Sequence, residues 1–213
     1  SSFRLPGRKV KAVGHGINLK KYFPLKEKAE IKTIQLVTVG RITPIKDYDT
    51  LIKALKELKN QGYLFEANII GAPILQADKE YFEYLKKKTI NSGLQKSVIF
   101  VGGLAPEKVI PYLQKADIFV HMSQTGSLDK TVLEAMACGL LIVSCNDSTK
   151  DVVNKYQDYL LYEQGNQEQL ANRIKNLYSL KPEEKAEIKS MLAEIAGQND
   201  LPGLIGKIKQ ELS

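Results

Sequence analysis

The stretch TIQLVTVGRITPIKDYDTLIKALKELKNQG (33–62) decides the fold. Its first seven residues form a short run rich in Ile, Leu and Val, as a strand buried on both faces does. Gly40 ends that run and permits close backbone approach. Beyond it, Tyr48, Leu51, Ile52, Leu55 and Leu58 recur at spacings of three and four, the apolar stripe of a helix. Gly62 follows as a helix terminator. The local unit is therefore strand, polar loop, helix.

Outward from this stretch the unit repeats. FEANII (65–70), SVIFV (97–101), DIFVHM (117–122) and LLIVSC (140–145) read as further strands, and DYLLY (158–162) as a candidate sixth. Helical patterns cover 78–92, a short segment from Pro106, and 130–137, which stops at Gly139. After 166 the pattern is helical throughout, over 167–179, 182–196 and 203–212. Alternating strands and helices imply a parallel sheet with right-handed crossovers. The expected fold class is α/β, a doubly wound parallel sheet over 33–165 closed by C-terminal helices over 166–213. Residues 1–32 form a separate leading segment.

Composition agrees with this reading and removes other classes. The 213 residues are 43% hydrophobic and 26% charged, as in a globular domain able to bury a core without metal or disulfide support. No apolar run approaches the roughly 20 residues of a membrane span. Cys138 and Cys145 both lie in apolar stretches and fit reduced thiols in a cytoplasmic compartment. The net charge of +7 first points to nucleic acid. However, residues 1–32 carry nine basic and two acidic side chains, and residues 33–213 carry 22 of each sign. The neutral body argues against a nucleic-acid partner. Lys86–Lys88 read as a solvated helix face.

In doubly wound folds ligands bind outside the carboxyl ends of the strands, near a topological switch point. That directs attention to 40–47, 71–77, 102–106, 123–131 and 146–151. Arg41 and Lys46 flank a chain reversal that can aim both into one crevice, where two cations suit a diphosphate. Two surface charges on a turn is the other reading. SQTGSLDK (123–130) leads into a helix whose N-terminal N–H groups and dipole attract phosphate. Glu134, early in that helix, suits either a ribose diol or the dipole itself. Gly102, Gly103 and Leu104 could receive a flat base or form an ordinary turn. His121 reads as a buried core histidine. His15 lies in a glycine-flanked turn of the basic segment. The dinucleotide fingerprint, the P-loop and the nucleophile elbow are absent, and no cluster has metal-ligand spacing.

Four segments in register carry a family resemblance. VGHGIN with YFP (13–24), VGRITPIKDYDTLIKAL (39–55), VIFVGGLAPEKVIPYLQKADIFVHMS (98–123) and LEAMACGLLIV (133–143) together resemble the C-terminal, donor-binding domain of a family 4 retaining glycosyltransferase of the GT-B fold. The resemblance implies that Arg41 and Lys46 hold the donor diphosphate beside Gly40. It implies that Glu134 is the second glutamate of the glutamate-x7-glutamate motif and binds the ribose hydroxyls. Gly102, Gly103 and Leu104 would meet the base. Backbone groups from Gly126 through Ser127, Leu128, Asp129 and Lys130 to Thr131 and Val132 would meet sugar and phosphate. The donor would be a UDP- or GDP-linked sugar, with no metal and no further cofactor.

This chain departs from the family pattern at three places. Gly126 stands where the first motif glutamate belongs, Asp47 where a glycine follows the lysine, and Gly71-Ala72-Pro73 where Gly-Asp-Gly is usual. The acceptor side belongs to an N-terminal domain outside these residues, so this piece alone is expected to bind donor and not turn over. A nucleotide-sugar epimerase and a nucleotide-sugar-binding module without catalysis are the competing readings. A glycan phosphorylase would require a lysine carrying pyridoxal phosphate, whose motif is not evident. The basic segment 1–32 has three readings: peripheral contact with the inner face of a membrane, an acidic surface on the N-terminal domain, or solubility.

Overall fold

The computed structural model describes residues 15–25, 32–124 and 128–212. Five strands, β1 (Ile34–Val39), β2 (Phe65–Ile70), β3 (Val98–Gly102), β4 (Ile118–His121) and β5 (Leu141–Ser144), form one sheet in the order β3-β2-β1-β4-β5. Every pairing is parallel. The doubly wound fold is as expected. Its switch point lies at β1, whose neighbours β2 and β4 lead the chain in opposite directions across the sheet.

The helices are α1 (Tyr48–Asn60), α2 (Gln76–Asn91), α3 (Pro106–Lys115), α4 (Lys130–Ala137), α5 (Asp147–Val153), α6 (Gln157–Leu160), α7 (Gln167–Ser179), α8 (Pro182–Gly197) and α9 (Leu201–Leu212). The stripe read on α1 is the buried one: Tyr48, Leu51, Ile52, Leu55 and Leu58 are all in the core. α7 packs against α1 and α8 against α4. Leu170, Ile174, Ile188 and Leu192 belong to the same apolar cluster as the strands. The closing helices and the sheet thus share one core.

Two expectations change. DYLLY is not a sixth strand: Gln157–Leu160 is a turn of helix, and the segment meets the sheet through a single bridge between Leu161 and Ser144, with Tyr162 N–H donating to the Ser144 carbonyl at 3.1 Å. Leu160 and Tyr162 are buried because this turn caps the end of β5. The loop after β5 is also shorter than expected, with α5 beginning at Asp147.

The described part of the leading segment is seated on the domain. Ile17 is 1% exposed, and its N–H donates to the Asn199 carbonyl at 3.0 Å while its own carbonyl accepts from Leu201 N–H at 2.9 Å. Gln114 Nε2 donates to the Phe23 carbonyl at 2.9 Å. Pro24 lies against Gly139, where φ is +79° and an added Cβ would come within 2.9 Å of the proline Cβ. Both cysteines are free and buried, and burial raises their thiols to about 12 for Cys138 and about 11 for Cys145. Lys88 is not merely solvated, since it meets Asp49 and the Tyr84 hydroxyl.

Candidate donor site

The loop after β1 is held in shape from both sides. Tyr48 Oη donates to the Gly40 carbonyl at 2.9 Å. Gly71 crosses so close beneath that a Cβ there would sit 1.8 Å from the Gly40 oxygen, so no other residue fits. Thr43 precedes a 3-10 turn, Pro44–Lys46, and Asp47 both ends that turn and caps α1 by accepting from Thr50 N–H. Asp47 has φ +48°, the only positive φ of a non-glycine residue among those described. Its backbone occupies the left-handed region that a glycine would occupy freely and that Asp tolerates better than most residues. The substitution for glycine therefore keeps the conformation and adds a helix cap.

The reversal brings Lys46 to the switch point. Lys46 Nζ lies 3.4 Å from Asp129 Oδ2, on the loop between β4 and α4. Arg41 is exposed and does not share this contact; its charge acts instead on Asp78 at the start of α2. Each cation is thus paired with a different carboxylate rather than aimed at a common point. Asp78 is in turn held low chiefly by the Leu75 N–H and also by the Thr43 hydroxyl, which ties α2 to the β1 loop.

Asp129 organises the other wall. Its Oδ1 accepts from Thr131 N–H and Oγ1, both at 3.3 Å, which makes it the N-cap of α4. Its Oδ2 also lies 3.4 Å from His121 Nε2. His121 is 4% exposed, and its Nδ1 is 3.1 Å from Ser144 Oγ. His121 holds the Asp129 carboxyl well below the usual carboxylate range, with help from Lys46 and the Thr131 N–H and against the effect of burial. The core-histidine reading of His121 was incomplete, because one ring nitrogen faces the core and the other the site. Lys46 and Asp129 are 83 positions apart, and no local pattern links them.

Glu134 is 8% exposed in the second turn of α4, with Lys130 Nζ 3.5 Å from its Oε1. The Tyr22 hydroxyl faces the same carboxylate; burial first, and then Glu134, push that phenol well above its ordinary value. Tyr22 was not singled out from sequence, since its role depends on the leading segment folding back. Beside it a cavity of about 300 Å³ is lined by Gly16, Asn18, Tyr22, Glu107 and Lys130 among others. Gly102 takes φ +88° at the end of β3, and Leu104 packs partly on the core. Val132 has no available group: its side chain is 0% exposed and its N–H is bonded to the Asp129 carbonyl. Leu128, Asp129, Lys130 and Thr131 are all at least partly accessible, whereas Gly126 and Ser127 lie outside the described residues. No group of three or more His, Cys, Asp or Glu among the described residues is placed to hold a metal ion.

The sequence pattern of the family described as glycosyl transferases group 1 matches residues 23–191. The chain belongs to that family. It is similar to the amylovoran biosynthesis glycosyltransferase AmsK of Erwinia amylovora, 32% identical over 149 residues, which are 67% of this chain and 35% of that protein. It is also similar to the GDP-Man:Man(3)GlcNAc(2)-PP-Dol alpha-1,2-mannosyltransferase of Caenorhabditis elegans, 28% identical over 137 residues, 61% of this chain and 29% of that protein. The chain thus spans about a third of the length of these relatives. Among solved structures it resembles Anabaena Alr3699/HepE in complex with UDP and glucose, with a TM-score of 0.78 at 22% identity over 92% of this chain and 55% of that one. It also resembles the C-terminal domain of a group 1 glycosyl transferase, LpcC, from Francisella tularensis, with a TM-score of 0.75 at 20% identity, covering 87% of this chain and all of that one. At these identities the structural likeness establishes the fold, a Rossmann-like α/β domain of the kind found in GT-B glycosyltransferases.

Proposed function

We propose that this group 1 chain is the nucleotide-sugar-binding half of a family 4 retaining glycosyltransferase that works without a metal. The observation that carries the reading is the meeting of the Lys46 loop with the N-terminus of α4 at the β1/β4 switch point. A diphosphate placed there accepts from Lys46 and from Arg41 swung inward, and faces the positive end of the α4 dipole. These groups lower the energy of the charge that develops on the departing diphosphate. Glu134, oriented by Tyr22, accepts from the two ribose hydroxyls, and the base lies toward Gly102, Gly103 and Leu104.

The relatives and structural neighbours support a nucleotide-sugar donor, since one is named for GDP-Man and another is bound to UDP and glucose. Sugar transfer proper needs the acceptor side of the N-terminal domain. The 213 residues alone therefore bind donor and do not turn over, and measurable transfer by this chain alone contradicts that statement. Thermal denaturation with UDP- and GDP-sugars tests the binding. One nucleotide-sugar raises the melting temperature by several degrees, as binding to the folded state alone requires. If none does, the reading is wrong. Anomeric NMR of the product made by the longer protein tests retention.

A further inference from the structure

His121 is the last residue of β4, and Ser144, its partner across the parallel ladder, is the last residue of β5. Their side chains meet in the core, with His121 Nδ1 3.1 Å from Ser144 Oγ. Ser144 belongs to a buried polar chain. Its Oγ accepts from Asn146 N–H at 3.1 Å and lies 3.2 Å from Thr149 Oγ1, and Ser144 and Thr149 are both fully buried. Burying an imidazole costs desolvation that an apolar side chain at the strand end would not. What the second ring nitrogen meets therefore decides what the ring does.

The hydrogen-bond roles put a proton on that nitrogen. With the Asn146 N–H and the Thr149 hydroxyl donating to Ser144 Oγ, the Ser144 hydroxyl donates to Nδ1, and the neutral ring carries its proton on Nε2. Were Nδ1 the donor instead, a neutral ring would turn a bare lone pair on the Asp129 carboxylate, and a charged ring would again carry a proton on Nε2. Nε2 is shut off from solvent and lies 3.4 Å from Asp129 Oδ2. Lys46 Nζ lies at the same 3.4 Å from the same oxygen. A settled charge-assisted hydrogen bond is about 2.7–2.9 Å long. One carboxylate oxygen is thus shared between two donors and drawn tight to neither. His121 is also the strongest influence holding the Asp129 carboxyl well below the usual carboxylate range.

We propose that His121 is a positioning residue of the donor site: its Nε2–H takes over the Asp129 carboxylate when a diphosphate draws Lys46 away. The proposal rests on the donor reading above and adds to it the fate of Asp129. Of the two donors to Oδ2, His121 is the buried one and is fixed by Ser144, whereas Lys46 is partly exposed and can turn to a ligand. A carboxylate that loses one partner beside an incoming anion needs the other to hold it. With Oδ2 kept on His121, Oδ1 still caps Thr131, so the first turn of α4 stays in place while Lys46 moves. Without the ring, Asp129 pairs with Lys46 alone and competes harder with the diphosphate.

Calorimetric titration of UDP and GDP into the chain and four variants tests this. His121→Leu weakens binding about three- to tenfold, the value of one hydrogen bond to a charged group. His121→Gln, whose amide N–H reaches toward where Nε2–H stood, recovers most of that loss. In the Asp129→Asn background, His121→Leu has no further effect, because no carboxylate remains to be held. The same loss in both backgrounds, as a packing role alone would give, overturns the proposal, and so does no loss in either. Long-range proton–nitrogen NMR decides the matter if His121→Leu does not fold. The chain has two histidines, and His15→Gln identifies the ring signals of His121. The ring carries its proton on Nε2, and the Nε2 signal moves in Asp129→Asn and on adding nucleotide to the wild type. A bare Nε2, or a signal indifferent to Asp129→Asn, overturns the proposal. If neither UDP nor GDP binds the wild type, the donor reading falls and takes this proposal with it. Nucleotide binding that ignores His121 overturns this proposal alone.

Discussion

Asp49 and Asp129 each draw several side chains around one carboxylate. Asp49 lies on α1 and meets Lys53 at 2.8 Å, Tyr84 Oη at 2.5 Å and Lys88. All of its side-chain partners are on α1 and α2, and the cluster fastens two helices together. Asp129 takes its partners from three places: Lys46 from the loop after β1, His121 from β4 and Thr131 from α4. They meet at the switch point, where the fold places ligands. The chemistry of the two clusters is alike, but only in the second does a cation stand where an incoming diphosphate can replace the carboxylate. In the proposed reading, Asp129 stands where the donor diphosphate would replace it beside Lys46.

Substitutions break or sharpen this contrast. The largest effect is expected from Lys46→Ala, which weakens UDP or GDP binding roughly 10–100-fold, the value of one charge-assisted hydrogen bond; calorimetric titration measures it. Asp129→Asn keeps an equally good N-cap and frees Lys46, so nucleotide binding tightens by about three- to tenfold. Weaker binding in that variant instead means that the Asp129 carboxylate contacts the donor. Asp49→Asn leaves nucleotide binding unchanged and lowers the melting temperature by about 2–4 °C, the shift expected for a loss of about 1 kcal/mol in a chain of this size.

The smallest effect is in acid. Burial pushes the Asp49 carboxyl up, but Lys53, Lys88 and Tyr84 outweigh it and hold it at about 2. A carboxyl held below its ordinary value contributes stability that is complete above about pH 4 and disappears as pH falls through about 2. The difference in melting temperature between wild type and Asp49→Asn therefore shrinks between pH 4 and pH 2. A difference that persists at pH 2 assigns it to packing rather than charge.

The sheet was legible because strands buried on both faces leave short apolar runs, and all five appear as read. DYLLY was misread because an apolar turn capping a strand end has the composition of a strand. Gly71 and Asp47 show what sequence conveys only partly: a close backbone crossing and a left-handed residue are visible as a glycine and an aspartate but not as constraints. The Lys46–Asp129–His121 meeting was not legible at all, since its members lie on separate elements and only the sheet order brings them together. The same holds for Tyr22 against Glu134.

The switch point, in the reading proposed above, binds a nucleoside diphosphate through Arg41 and Lys46. Calorimetric titration of UDP and GDP, and of their sugars, into the wild-type chain and into Arg41→Ala/Lys46→Ala tests it most directly. At least one of these ligands is expected to bind the wild type and none to bind the double variant, with both proteins equally folded. Equal affinity for the two proteins, or no binding to either, would contradict it.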